Sequence, residues 1–372
     1  MITIKEMKTK KEMKNFVKFP FELYKNNAYW VPPIINDELA SLDKTKNPVF
    51  ENAEARYFVA EKNGEIVGRI AAIINWTEVK VQEKKKMRFG WFDAIDDVAV
   101  TEALLNKVSE IGKENNLEFI EGPVGFSNLD KAGLLVKGYE ELNTMVTWYN
   151  FPYYKEHFEQ LSFEKAEEWI EFKFDVTDIM TPKLERFSKL ISEKLELNLI
   201  DFKSTKEVLP YVDAMFGLIN DTYSSLSTYV PIAQSQIEHY KKKYISFIHP
   251  SFIKCVADKD GNLIAFGITM PSFSKALQKA NGKLFPFGIF HILNAQKNND
   301  KAAFYLIGIK PEYQSKGVTS IIFYEFYKTF IEKGIKHLET NPELEDNVSV
   351  QALWKNFDTE LHKRRRTYKK EI

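Results

Sequence analysis

The chain is short of several things, and each scarcity closes off a class of function. It has one cysteine in 372 residues, Cys255. A lone cysteine forbids an intramolecular disulfide and makes no metal site by itself. No run approaches the roughly 20 apolar residues that a bilayer-spanning helix needs. The start, Met1 to Lys8, has no apolar segment of the kind that directs secretion, so a cytoplasmic protein is the expectation. Net charge is missing too, because 52 basic residues meet 52 acidic ones. That balance argues against a general nucleic-acid binder. The six histidines, His157, His239, His249, His291, His337 and His362, show no metal-ligand spacing. Neither a Ser-His-Asp order nor a G-x-S-x-G turn occurs.

What remains is ample material for a folded protein. The length suits two domains. Hydrophobic content of 44% and charged content of 28% are ordinary for a globular chain. Twenty-nine Phe, 17 Tyr and 6 Trp imply large cores or apolar pockets.

Periodicity predicts an α/β chain in which the same order of elements occurs twice. In the first half, 56–61 and 65–74 read as strands joined through Asn63-Gly64, a strong hairpin signal. Phe89 to Ile95 reads as a third strand. Asp97 to Asn115 follows as a helix, with apolar residues near period 3.6, and 118–121 as the next strand. The second half runs in parallel. Hairpin strands at 252–257 and 262–269 flank Asp258 to Gly261, Phe304 to Ile309 is the long strand, and Thr319 to Lys333 the helix. Ile335 to Thr340, a short helix from Asn347 and a last strand from Glu360 to Tyr368 complete it. Pro182 to Leu195 reads as a helical connector. Met270 to Ile292, rich in Phe, reads either as a core insertion or as the lining of an acyl pocket. The basic run His362 to Arg366 reads as a charged edge strand or as a contact for an anion.

One stretch points to a ligand. Phe304 to Ile309 ends in the turn Gln314-Ser315-Lys316-Gly317, and a helix follows. A helix N-terminus carries unsatisfied N–H donors and the positive pole of the dipole, which suits a phosphate. Gly317 permits positive φ or close approach of a ligand. The corresponding place in the first half holds Asp96 and Asp97. Carboxylates there cap a helix but repel a diphosphate.

The segment Pro311 to Thr319 resembles the pyrophosphate-binding loop of the GNAT superfamily, the acyl-CoA-dependent N-acyltransferases. Gln314 and Gly317 match that family's Q/R-x-x-G-x-G/A loop, and Thr319 stands where Gly or Ala is usual. Asn347, Leu353, Lys355 and Phe357 match its closing helix, on which Trp354 replaces the tyrosine that protonates the leaving thiolate in many members. An indole cannot serve as that acid. Trp30 to Pro33, Gly122 to Ser127 and Glu339 to Asn347 resemble bacterial proteins with two such domains in tandem. The resemblance implies two GNAT-like domains, 1–178 and 179–372, each a mixed, mostly antiparallel sheet flanked by helices, with the coenzyme site in the second.

The resemblance implies acyl transfer from acetyl-CoA or another acyl-CoA to a small-molecule or peptide amine. It implies a coenzyme site at Ile307, Gly308, Ile309, Gln314, Ser315, Lys316, Gly317, Val318, Thr319 and Asn347. Glu339 is the expected base, and Tyr305, Tyr313 and Tyr368 are alternative proton donors. Glu343, Glu345 and Asp346 are expected to be solvated or to cap a turn. Asp93, Asp96, Ser127 and Asn128 are the expected acceptor contacts. Two other classes compete. A non-catalytic acyl-CoA sensor or partner-binding module is favoured by Trp354 and Thr319, and an aminoacyl-tRNA-dependent transferase by the basic terminus.

Overall fold

A computed structural model of the chain describes residues 1–127, 129–179, 182–224, 226, 228–245, 247–354 and 357–372. They form two compact units. Unit 1 comprises residues 1–170, 274–291 and 362–372, and unit 2 comprises 171–273 and 292–361.

The sheet of unit 1 runs in the order Ile2–Glu6, Ala53–Lys62, Glu65–Asn75, Lys86–Ala94, Phe119–Gly122 and then the C-terminal strand, whose register pairs Tyr368 with Gly122. The hairpin at 62–65 turns through Asn63 and Gly64, both at positive φ. Helix Lys10–Leu23 starts at a capping box, with Thr9 and Glu12 each bonded to the other's backbone N–H. Helix Val98–Glu114 turns Val100, Leu104, Leu105, Val108 and Ile111 into the core, against Phe89, Phe92, Phe158 and Tyr368.

The C-terminal strand corrects the expectation of a charged edge. It is an interior strand, between Phe119–Gly122 and the strand that begins at Glu164, and Leu134–Lys137 pairs with it as well. Lys363 and Arg365 are buried. Arg364 and Arg366 reach the Glu168 carboxylate at 2.7 and 3.2 Å, and Arg365 donates to Asn143 Oδ1 at 3.0 Å. Buried cations need such partners. The partners lie some 200 positions away in sequence, where local reading does not reach.

The sheet of unit 2 runs 171–175, His337–Thr340, Lys301–Ile309, Leu263–Pro271, Ile253–Ala257 and Asn198–Ile200. Its hairpin turn is held by the Asp258 carboxylate, which accepts from the N–H groups of Asp260 and Asn262 at 3.0 and 2.8 Å. Helix Thr319–Lys333 ends at Gly334 in the left-handed conformation. Its apolar face, with Ile322, Phe323, Phe326 and Phe330, packs on the sheet through Phe304 and Gly267. A Cβ on Gly267 would lie 2.7 Å from the Phe326 ring.

Candidate coenzyme site

The site of unit 2 begins with a parallel pair that comes apart. Lys301 to Phe304 pair with His337 to Thr340, and the pairing stops there. Asn341 N–H makes the last link, to Phe304 O at 3.1 Å. On its other edge the strand stays paired as far as Ile309, with a bulge at Tyr305. The stretch 305–309 therefore has one bonded edge and one open edge.

Alternation decides which groups face the opening. Lys310 N–H is spent on Ile264 O at 2.9 Å, so Ile309 and Ile307 turn their peptide groups the opposite way. Two contacts agree with this: Tyr223 O–H donates to Ile307 O at 3.0 Å, and Gln314 Nε2 donates to Ile309 O at 3.2 Å. The N–H groups of Ile307 and Ile309 thus point away from the bonded edge.

They open on a cavity of about 770 Å³. One end of it is the turn before helix Thr319–Lys333. Ser315 and Gly317 have φ of 59° and 84°, and Val318 follows Gly317 in the right-handed conformation. A left-handed residue beside a right-handed one curls successive N–H groups into an anion-binding concavity. Gly317 O accepts from Ser320 N–H at 3.0 Å and from Ser320 Oγ at 2.7 Å, which fixes the turn to the helix. A Cβ on Gly317 would sit 2.9 Å from the Phe187 ring. Phe187 lies on Pro182–Lys194, which is therefore a wall of this cavity in unit 2 and not a connector.

The cavity gathers Ile307, Gly308, Ile309, Gln314, Ser315, Gly317, Val318, Thr319 and Asn347 of the expected coenzyme set. Lys316 is beside it, its ammonium 5.4 Å from the centre of the Tyr313 ring. Tyr223 and Phe187 also line it. Nothing in their local sequence marks them: Phe187 lies on the segment that reads as a connector, and no motif surrounds Tyr223.

Of the expected catalytic residues, Tyr305 is half-buried at the bulge, and burial together with the Glu339 charge pushes its phenol well up. Glu339 lies on the neighbouring strand, opposite Ala303. Tyr368 is in the core of unit 1, stacked on Phe158.

Glu343 departs from the expectation of a solvated carboxylate. Both of its oxygens accept from the Trp354 indole N–H, at 2.8 and 2.9 Å. Burial, reinforced by the Glu171 charge, pushes its carboxyl up to about 8, against the pull of the indole. Its charge also acts on Tyr223, whose phenol burial pushes up to about 12. Trp354 itself is buried among Phe174, Phe304 and Phe323. Lys355 lies outside the described residues.

The expected acceptor contacts belong to unit 1. Asp93 is buried, paired with Arg69 at 2.8 Å and accepting from Tyr24 O–H at 2.7 Å. Burial still outweighs these partners and raises its pKa. Asp96 is exposed and lies 3.2 Å from His157 Nε2. Asp97 caps helix Val98–Glu114 through Ala99 N–H and meets Lys62 at 2.8 Å. Ser127 is held in a turn by Asp130 at 2.9 Å. Asn128 lies outside the described residues.

No family model matches the sequence. Protein YghO of Escherichia coli K12 is 26% identical over 370 residues, which covers 98% of this chain and 94% of that protein. A bacterial ceramide synthase from Caulobacter vibrioides is 23% identical over 288 residues, 72% of this chain and 74% of that protein. Among solved structures, a tandem GNAT protein from the clavulanic acid biosynthesis pathway matches with a TM-score of 0.58 at 10% identity, over 100% of this chain and 98% of that one.

Proposed function

We propose that this chain, which carries the GNAT fold in tandem, is an acyl-CoA-dependent N-acyltransferase whose coenzyme lies in the cavity of unit 2. One observation carries the proposal: a 770 Å³ cavity joins the open edge at 305–309 to the curled turn at 313–320. The turn offers backbone donors and a helix N-terminus to a diphosphate. The open edge offers the N–H of Ile307 or Ile309 to a thioester oxygen, as an oxyanion donor. Tyr223 is a positioning residue, because its bond to Ile307 O fixes the peptide that joins Ile307 to Gly308, which lies between the two candidate N–H donors.

The chemistry follows from these groups. A neutral amine attacks the thioester carbon, the carbonyl oxygen gains charge beside the strand N–H, and the carbon–sulfur bond breaks. The amine proton must leave. Glu343, whose charge reaches Tyr223 on the cavity wall, accepts it in its ionised form, which grows as pH rises toward about 8, and its Trp354 partner holds the carboxylate in one orientation. Glu339 is the second candidate for that role. The thiolate leaves with little help, since thiols are far more acidic than alcohols.

The ceramide synthase relative favours a long-chain amine as acceptor. The test is thiol release from acetyl-, hexanoyl- and palmitoyl-CoA with a panel of amines that includes sphinganine. Turnover with any pair, at least tenfold above the Glu343→Gln variant, supports the proposal. Absence of turnover across the panel, with binding intact, would replace it with an acyl-CoA sensor.

A further inference from the structure

Unit 1 contains a segment that the coenzyme site does not use, residues 274–291. The sequence suggested either a core insertion or an acyl-pocket lining, and its aromatic tip is neither. Phe285, Phe287 and Phe290 are 71, 72 and 64% exposed, and none lines the cavity of unit 2. The segment is firmly tied down. Ser274 Oγ donates to Asn143 O at 2.7 Å, Gln278 Nε2 donates to the carbonyls of Ala28 and Trp30 at 2.9 Å, and Ile35 N–H donates to Gly282 O at 3.0 Å. Inside it, Lys283 N–H bonds Ala280 O at 3.0 Å and Phe290 N–H bonds Phe287 O at 3.1 Å. Three phenyl rings are thus held in water on an ordered scaffold, which is the reverse of their usual fate.

Charge accompanies the rings. Lys275, Lys279 and Lys283 are exposed, and residues 274–291 include no Asp or Glu. Lys275 and Lys279 stand four apart on helix Ser274–Ala280, on one face. We propose that this knob docks the protein onto an anionic phospholipid bilayer. The interface of such a bilayer offers negative headgroups to the lysines and an apolar layer just beneath for the rings. A second copy of the chain fits less well, because a two-fold contact through the same patch would bring its lysines against each other. The inference does not depend on acyl transfer.

The test is sedimentation of the full chain with sucrose-loaded vesicles, either pure phosphatidylcholine or 30% phosphatidylglycerol in phosphatidylcholine. We expect binding to the anionic vesicles that weakens with salt. Replacing Phe285, Phe287 and Phe290 together by Ser should weaken it at least tenfold without changing the melting temperature, since the rings are already exposed. Replacing the three lysines by Ser should remove the preference for anionic lipid. Three outcomes would overturn the proposal. The wild type could sediment with neither vesicle. The triple-Phe variant could bind as well as the wild type. Analytical ultracentrifugation could show a dimer that the triple-Phe change dissolves, with no vesicle binding.

Discussion

The two units place the same elements at the same spacing, and they finish them in opposite ways. In unit 1 the strand Lys86–Ala94 pairs in parallel with Phe119–Gly122 and then parts from it. In unit 2, Lys301–Ile309 does the same with His337–Thr340. Val124 N–H bonds Phe89 O just as Asn341 N–H bonds Phe304 O. Beyond that point unit 1 closes. The Tyr154 hydroxyl oxygen accepts from Ala94 N–H at 2.9 Å, and Tyr153 O–H donates to Ala94 O at 2.8 Å. Asp93 and Arg69 fill the neighbouring space, and the cavity left beside them is about 20 Å³, room for about one water. In unit 2 Ile309 faces a cavity, and glycine stands where Asp93 would be, at Gly308. A fold that can hold a ligand in the gap has filled that gap with its own side chains in one copy and kept it open in the other.

The largest expected effect is at Glu343. Glu343→Gln should lower kcat by about 10²–10⁴-fold and abolish a rising pH limb with its midpoint at about 8, as initial rates from pH 6 to 9 would record. Glu339→Gln should leave that limb in place. The same carboxyl makes a stability prediction. Its folded pKa lies above the ordinary value of 4.5, so it favours folding at low pH, and that contribution is lost as pH rises through about 8. Denaturant titrations across this range should show the loss in the wild type and a flatter profile in Glu343→Gln.

Next comes the filled gap of unit 1. Arg69→Met leaves the buried Asp93 without its cation and should cost about 3–5 kcal/mol of stability. It should leave coenzyme affinity unchanged at a temperature where the protein remains folded. A comparable loss of affinity would mean that unit 1 takes part in binding. Tyr223→Phe is milder. Losing the bond to Ile307 O should lower kcat/KM about five- to tenfold, with stability altered by at most about 1 kcal/mol. The smallest effect is at Asp97, where an Ala removes a helix cap for about 1 kcal/mol and leaves turnover alone.

Local signals in the sequence carried much of this architecture. Asn63-Gly64 and Asp258 to Gly261 announce both hairpins because their backbone conformations are specific to those residue types. The repeat is legible because each copy conserves the same alternation, and Gln314 to Gly317 because a strand, a glycine turn and a helix follow one another directly. What stayed hidden depends on distance along the chain. The pairing of Arg364 and Arg366 with Glu168, the burial of Glu343 against Trp354, and the wall built by Phe187 all come from tertiary placement. The rings at 285–290 gave the reverse error, since phenylalanine ordinarily signals a core and here marks a surface.

The central claim is that the open gap of unit 2 holds the coenzyme. Isothermal titration of acetyl-CoA, palmitoyl-CoA and free coenzyme A into the wild type and a Gly317→Glu variant tests it most directly. A carboxylate side chain at that position meets the Phe187 ring and opposes a diphosphate. The account predicts micromolar binding to the wild type that weakens at least about 100-fold in the variant, with both proteins melting cooperatively. No binding of any coenzyme form to the wild type, or equal binding to both proteins, would contradict it.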